Sequence, residues 1–409
     1  MNYTRTVRTC YLSTVTQAVL VNMPPLLFTL LARDYGLNME RLGRLVLINF
    51  VTQLTVDALA ARLADRVGYR RCLVAAHVLA ALGFALYGIL PSLLPGELLY
   101  GGLCFATVVF ACGGGLIEVL VSPIVNQISG HLGAGAMTLL HSFYCWGQVL
   151  TVVVTTALLR FLPGTRWYAV PILWTIVPLL TTYGFATAPM AEPRTSDTPS
   201  IPLSKLMRSG PFWVAVGLMA CGGASEIAMA QWASMFAEQG IGDKLLGDLL
   251  GPCLFAVLMA IVRMLYGKLE NKFPLRKFLL WSAVACIACY LTAALSKNAA
   301  LALTACALTG ATIALMWPGI LHRSAGRFPG GGTGLFGMLA LGGDLGCSLG
   351  PWLLGFIGDR VGRRAGPHAG LRTALLAGAV FPAGFLALLL AERQKNVETH
   401  SCASPVKHI

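Results

Sequence analysis

Long apolar runs recur along the chain, and this recurrence constrains its fold more than any other feature. Twelve runs stand at about 10–32, 42–64, 73–94, 98–125, 137–160, 168–189, 211–237, 244–266, 276–296, 299–320, 333–358 and 371–391. A helix needs about 20 mainly apolar residues to cross the hydrocarbon core of a bilayer. Charged residues are 11% of the chain, against about 25% in a soluble domain, too few to give it a polar surface in water. Glycine, 45 of 409 residues, suits helices that pack closely inside a membrane. The expectation is an all-α membrane protein of twelve transmembrane helices. The first run follows MNYTRTVRT and continues as a full span, so it reads as a membrane helix and not as a cleaved leader.

The connections divide these spans into two sets. The longest internal one, 191–209, is rich in Pro, Ser and Thr and lies between spans 6 and 7. The predicted organisation is a six-helix half at 1–190, a cytoplasmic linker at 191–209, a second six-helix half at 210–392 and a cytoplasmic tail at 393–409. Two halves of this kind build many secondary transporters.

The net charge of +13 is explained by topology. Most Lys and Arg fall in short segments that share one side when both termini are cytoplasmic, including Arg62, Arg66, Arg70, Arg71, Arg263, Lys268, Lys272, Arg276 and Lys277. The exception is Arg360, Arg363, Arg364 and Arg372 near the junction of spans 11 and 12, where the span pattern is weakest. No basic and aromatic stripe tracks a nucleic-acid backbone, so the expected partners are the bilayer and a small-molecule solute, with the protein a monomer. Twelve Cys are scattered, nearly all in apolar runs, where Cys behaves as a small hydrophobe. Cys286 and Cys289 lack a second pair at metal spacing. The GGG at 330–332 lacks the Lys of a phosphate-binding loop. With no nucleophile and base set either, the chain does not read as an enzyme, and no cofactor is expected beyond a coupling proton or sodium ion.

Acidic residues in mid-span are costly and need a partner, a cavity or a proton. Four stand there: Asp57, Glu118, Glu226 and Asp344. Glu118 follows Gly113, Gly114 and Gly115, which either let helices approach or leave room for a solute. It reads as a proton-coupling group, beside the alternative of a carboxyl that fixes helix packing. His141 opens span 5 at a similar depth, where it forms either a relay with Glu118 or a bond to the backbone. Glu226 and Asp344 read equally as site or packing groups, and Asp57, ahead of Arg62, reads as part of a structural ion pair. Amides and indoles in mid-span suit a sugar-like solute, because amides donate and accept while aromatic faces cover the apolar side of a pyranose. The candidates are Asn22, Asn49, Gln53, Asn126, Trp146, Gln148, Gln231, Trp232 and Trp317.

The stretch ARLADRVGYRR, 61–71, resembles the signature loop between spans 2 and 3 of the major facilitator superfamily. Leu63, Ala64, Asp65, Arg66, Gly68, Arg70 and Arg71 match it, and Ala61 replaces its first Gly. The resemblance implies the major facilitator fold, with Asp65, Arg66, Gly68, Arg70 and Arg71 as a gating loop. RMLYGKLENKFPLRK, between spans 8 and 9, is a weaker echo. GGGLIEVLVSPIVNQISG, LLHSFYCWGQV and GGASEIAMAQWASMFA resemble spans 4, 5 and 7 of the fucose:proton symporter family and its glucose-transporting relatives. That resemblance implies that Glu118 is the family's membrane-embedded acid, whereas Asn22 stands where the fucose branch has Asp. The combined expectation is a multi-pass inner-membrane symporter for a small polar solute, with proton-coupled efflux of amphipathic compounds as the alternative.

Overall fold

A computed structural model describes residues 3–132, 135–161, 167–190, 203–242, 247–269, 274–328 and 332–392. Within these stretches the side chains of Asp65, Arg66, Asn126 and His141, among others, lie outside the description. The described residues form helices and short connections, with no strand among them.

The spans are α1 (Thr4–Tyr35), α2 (Met39–Val67), α3 (Tyr69–Leu93), α4 (Gly96–Leu132), α5 (Gly135–Phe161) and α6 (Ala169–Thr187). After a short helix at Leu203–Met207 come α7 (Gly210–Ile241), α8 (Leu254–Leu269), α9 (Leu275–Leu295), α10 (Ala299–Ile313, continued by Met316–Arg327), α11 (Gly332–Ala365) and α12 (Pro367–Ala391). Eleven are long and apolar enough to cross a membrane, and α8 is shorter. The irregular span is therefore the eighth and not the eleventh or twelfth. Its entry, Leu249–Cys253, is a π-turn containing Pro252. Proline lacks the N–H that an α-helical ladder needs, and a π-turn absorbs the extra residue. Pro24 and Pro25 likewise break α1 at Leu27.

Twelve crossings bring the start of α1 and the end of α12 to one side, the terminal side. On that side the two halves repeat one device. Arg70, at the start of α3, donates to the carbonyls of Phe185, Ala186 and Ala188 at the end of α6, at 3.0, 2.7 and 2.8 Å. Arg276, at the start of α9, donates to the carbonyl of Leu389 near the end of α12 at 3.1 Å. A guanidinium at a helix C-terminus satisfies its orphan carbonyls and complements the helix dipole. Gly68 makes the turn before α3 with φ of 92°, a conformation that costs a glycine little.

Close helix contacts pull the spans around a common centre. A methyl group at Gly115 would lie 2.9 Å from the carbonyl oxygen of Gln53 and from Asp57 Oδ1. The Gly-rich run of α4 thus serves close approach to α2. Gly223 on α7 meets Gly343 on α11 in the same manner, 2.6 Å from its carbonyl oxygen.

Candidate functional site: a charged cavity between two six-helix halves

A cavity of about 190 Å³ lies where the two halves meet. Thr14, Gln17 and Val21 of α1, Phe50 of α2, Ile117, Glu118 and Val121 of α4 and Tyr144 of α5 form one wall. Gly223, Glu226 and Ile227 of α7, Arg263 of α8, Trp317 of α10 and Asp344 and Cys347 of α11 form the other. Pockets for drug-sized ligands run to about 300–1,000 Å³, so this one suits a smaller solute. Three carboxyls and one guanidinium line it, a charge content that a packed core avoids.

Glu118 is held by a ladder of amides. Gln17 Nε2 donates to Glu118 Oε2 at 3.3 Å and to Gln53 Oε1 at 2.8 Å, and Gln53 Nε2 donates to Asn49 Oδ1 at 3.1 Å. Asn49 and Gln53 are one helical turn apart on α2, so the ladder follows from i, i+4 spacing and one crossing to α1.

The opposite wall is built differently. Glu226 Oε2 lies 3.6 Å from Arg263 Nη2, with both side chains largely buried. Arg263 also donates from Nε to the carbonyl of Ala314 at 2.9 Å and from Nη1 to Cys145 Sγ at 3.2 Å. The planar guanidinium presents donors in three directions and ties α8 to α10 and, across the halves, to α5.

Contacts between the halves close the cavity on the side away from the termini. The carboxylate of Asp359 on α11 accepts the N–H groups of Met39 and Glu40 at 2.8 and 2.7 Å, capping α2. Asp248, just before α8, accepts from Thr156 of α5 at 2.8 Å and from Ser234 of α7. Trp232 is fully buried, donates to the carbonyl of Pro351 at 3.1 Å and packs on Phe28 with ring centroids 5.6 Å apart. Gln231 donates to the carbonyl of Val21 at 3.2 Å. A cavity shut on one side and bounded by two bundles is what alternating access requires.

The Major Facilitator Superfamily model matches residues 10–351. The chain belongs to the major facilitator superfamily. Solved structures of the superfamily share its fold. A D-xylose–proton symporter superposes with a TM-score of 0.75 at 16% identity, over 96% of this chain and all of that one. The fucose:proton symporter of E. coli gives 0.65 at 18%, with coverage of 96% and 100%. A bacterial homologue of the human lysosomal transporter Spinster, inward-facing and occupied, gives 0.75 at 15%, with coverage of 94% and 96%. No curated protein sequence matches the chain. At these identities the likeness shows the fold alone. A major facilitator protein is a transporter and not an enzyme.

Within this facilitator fold, the predicted residues separate into groups. Glu118, Glu226, Trp317 and Asp344 line the cavity. Asn22 lies just behind the wall, donating to the carbonyl of Ala18 at 2.8 Å. Asn49 and Gln53 act through Gln17. Trp232 and Gln231 belong to the closed seam, where their N–H groups are committed to backbone carbonyls, and so they do not line the cavity. Gln148 is buried in α5 outside the lining. Trp146 is 46% exposed and stands apart from it as well, because it lies two residues from the lining residue Tyr144, about 200° further round the helix. The side chains of His141, Asp65 and Arg66 lie outside the described residues. Arg70 binds the end of α6 within its own half, and Gly68 makes the turn.

Sequence reasoning placed Arg263 among the basic residues of the terminal-side segments, and the structure brings it into the cavity. The signal that finds it is that it sits inside an apolar run, LFAVLMAIVRMLY, and not after it. Asp57 has a neighbour that the sequence did not indicate. Among the described residues its carboxyl faces that of Asp344, and the side chain of Arg62, the expected ion-pair partner, lies outside them.

Proposed function

We propose that this transporter moves a small polar solute, sugar-like in chemistry, by symport with protons, with Glu118 as the coupling group. One observation carries the reading: Glu118 lines the cavity between the halves, and its hydrogen-bond donor among the described residues is the neutral amide of Gln17. A carboxyl held by an amide gains or loses a proton without breaking an ion pair. It can therefore change charge as the cavity alternates between two aqueous sides.

Solute recognition falls to Tyr144, Trp317 and Gln17, with Arg263, Glu226 and Asp344 as polar contacts. Aromatic faces and hydrogen-bonding groups on opposite walls suit a polyhydroxyl compound, for which each hydroxyl both donates and accepts. The symporters for xylose and fucose among the similar folds support this choice. Proton-coupled efflux of an amphipathic compound is the second reading, favoured by the apolar share of the lining, Val21, Phe50, Ile117, Val121 and Ile227. The protein acts in the cytoplasmic membrane with both termini inside, following the distribution of Lys and Arg.

The test is reconstitution in proteoliposomes with a sugar panel and imposed pH or sodium gradients. Glu118→Gln abolishes accumulation driven by the pH gradient and retains counterflow exchange. A variant that still concentrates its solute removes Glu118 from the coupling role. Accumulation driven by sodium alone replaces the proton.

A further inference from the structure

Asp57 and Asp344 form a pair that the transport reading leaves unexplained, since it uses only Asp344, as a polar contact at the edge of the cavity. Asp57 lies on α2 in the first half and Asp344 on α11 in the second. Their carboxyls face one another across the two helices, within reach of a shared hydrogen bond. Asp344 is 2% exposed. Asp57 Oδ1 and Asp344 Oδ2 are both buried, and neither has a donor from another group. Gly115 makes the room: a methyl there would press on Asp57 Oδ1 at 2.9 Å.

An ionised carboxyl only accepts hydrogen bonds, and a protonated one also donates. Two carboxyls can bond to each other only with a proton between them, and without it they repel at close range in a medium of low dielectric. The missing donor is thus a proton. We propose that Asp57 and Asp344 share a proton that joins the two halves along the α2–α11 seam, and that its loss opens this seam.

Among the described residues, the groups around the pair supply no substitute for that proton. From α4 the facing group is Glu118, another carboxyl. From α7 the nearby acid is Glu226, engaged with Arg263 of α8. On α11 itself Cys347 sits beside Asp344. On α3, His77 bonds to Ser13, and on α10, Arg323 and Arg327 bond to Glu392 after α12. On α2, Arg62, Asp65 and Arg66 follow towards the helix end, with side chains outside the described residues.

The sign follows directly. The bonded seam is the protonated form, so it persists at low pH and is lost as pH rises. One proton released per opening changes the ratio of open to closed about tenfold per pH unit on the alkaline side. The pair is distinct from the coupling group in the proposed function. Its proton holds the seam between helices, and Glu118 faces the solute.

The test uses the full-length protein in nanodiscs, with spin labels at Leu59 on α2 and Leu345 on α11, both exposed positions, and distances followed across a pH titration without solute. The wild-type distance distribution widens on alkaline titration as a one-proton transition. Asp57→Asn and Asp344→Asn keep the short distance at every pH, because an amide donates to the remaining carboxylate without a titrating proton. An infrared carbonyl band of a protonated carboxyl vanishes over the same pH range and is missing from both variants. Persistence of the wild-type titration in both Asn variants overturns the proposal, as does a wild-type distance that ignores pH. Closure of the alkaline seam by added sodium also overturns it, assigning the pair to a metal cation. None of these outcomes depends on transport, so failure here leaves the Glu118 test intact and the reverse also holds.

Discussion

The two walls of the cavity each carry an acid, and they hold it by opposite means. On α4, Glu118 accepts from Gln17, and behind Gln17 stand only amides, Gln53 and Asn49. On α7, Glu226 faces the guanidinium of Arg263 at 3.6 Å. The first carboxyl has a neutral donor and no counter-ion among the described residues, whereas the second faces a permanent cation. In the proposed function the first wall serves proton exchange and the second is a fixed electrostatic frame. The difference lies in which side chains reach the acids, since both are glutamates in Gly-rich helices.

The sharpest way to break this contrast is Glu118→Gln, for which pH-driven accumulation falls to background while exchange continues in counterflow. If the walls are equivalent, Glu226→Gln does the same. Next comes Arg263→Met, which strands Glu226 in the cavity. Leaving one partner of a buried pair costs about 3 kcal/mol or more, read as a lowered melting temperature in detergent. Adding Glu226→Gln restores much of that loss, because the uncompensated charge is gone.

Smaller effects refine the picture. Asp359→Asn weakens the cap on α2 that helps to hold the far side shut. A lost cap costs about 1 kcal/mol, equivalent to about a fivefold shift towards the form open on that side, measured by thiol-reagent access to a cysteine placed at Gly43 in a background lacking reactive cysteines. Gln53→Leu removes the amide behind Gln17. It lowers the transport rate several-fold with solute affinity nearly unchanged, since Gln53 does not line the cavity. Trp146→Leu, outside both the cavity and the seam, changes neither affinity nor rate in the same uptake assay.

Much of this was legible in the linear chain where the signal is local. Each apolar run becomes a helix because a bilayer accepts little else, and the mid-span acids stood out because they are expensive there. The breaks at Pro24, Pro25 and Pro252 lie inside runs that read as continuous spans, and only the structure shows them. What stayed hidden were the partners. Arg263 counts as a topological charge until α8 is seen to enter the cavity, and Asp57 has a plausible base, Arg62, five residues on. Trp232 and Gln231 have the composition of a solute site and become a seal when α7 packs against α1 and α11.

The chain's own order of apolar and polar residues thus settled the class of the molecule, its number of crossings and the acids worth attention, because the cost of burying charge or bare backbone in lipid is paid residue by residue. The pairing of those acids belongs to the tertiary structure alone. Whether a carboxyl meets an amide, a guanidinium or another carboxyl depends on how helices distant in sequence rotate and approach, and that is decided by small residues such as Gly115, Gly223 and Gly343 at their crossings.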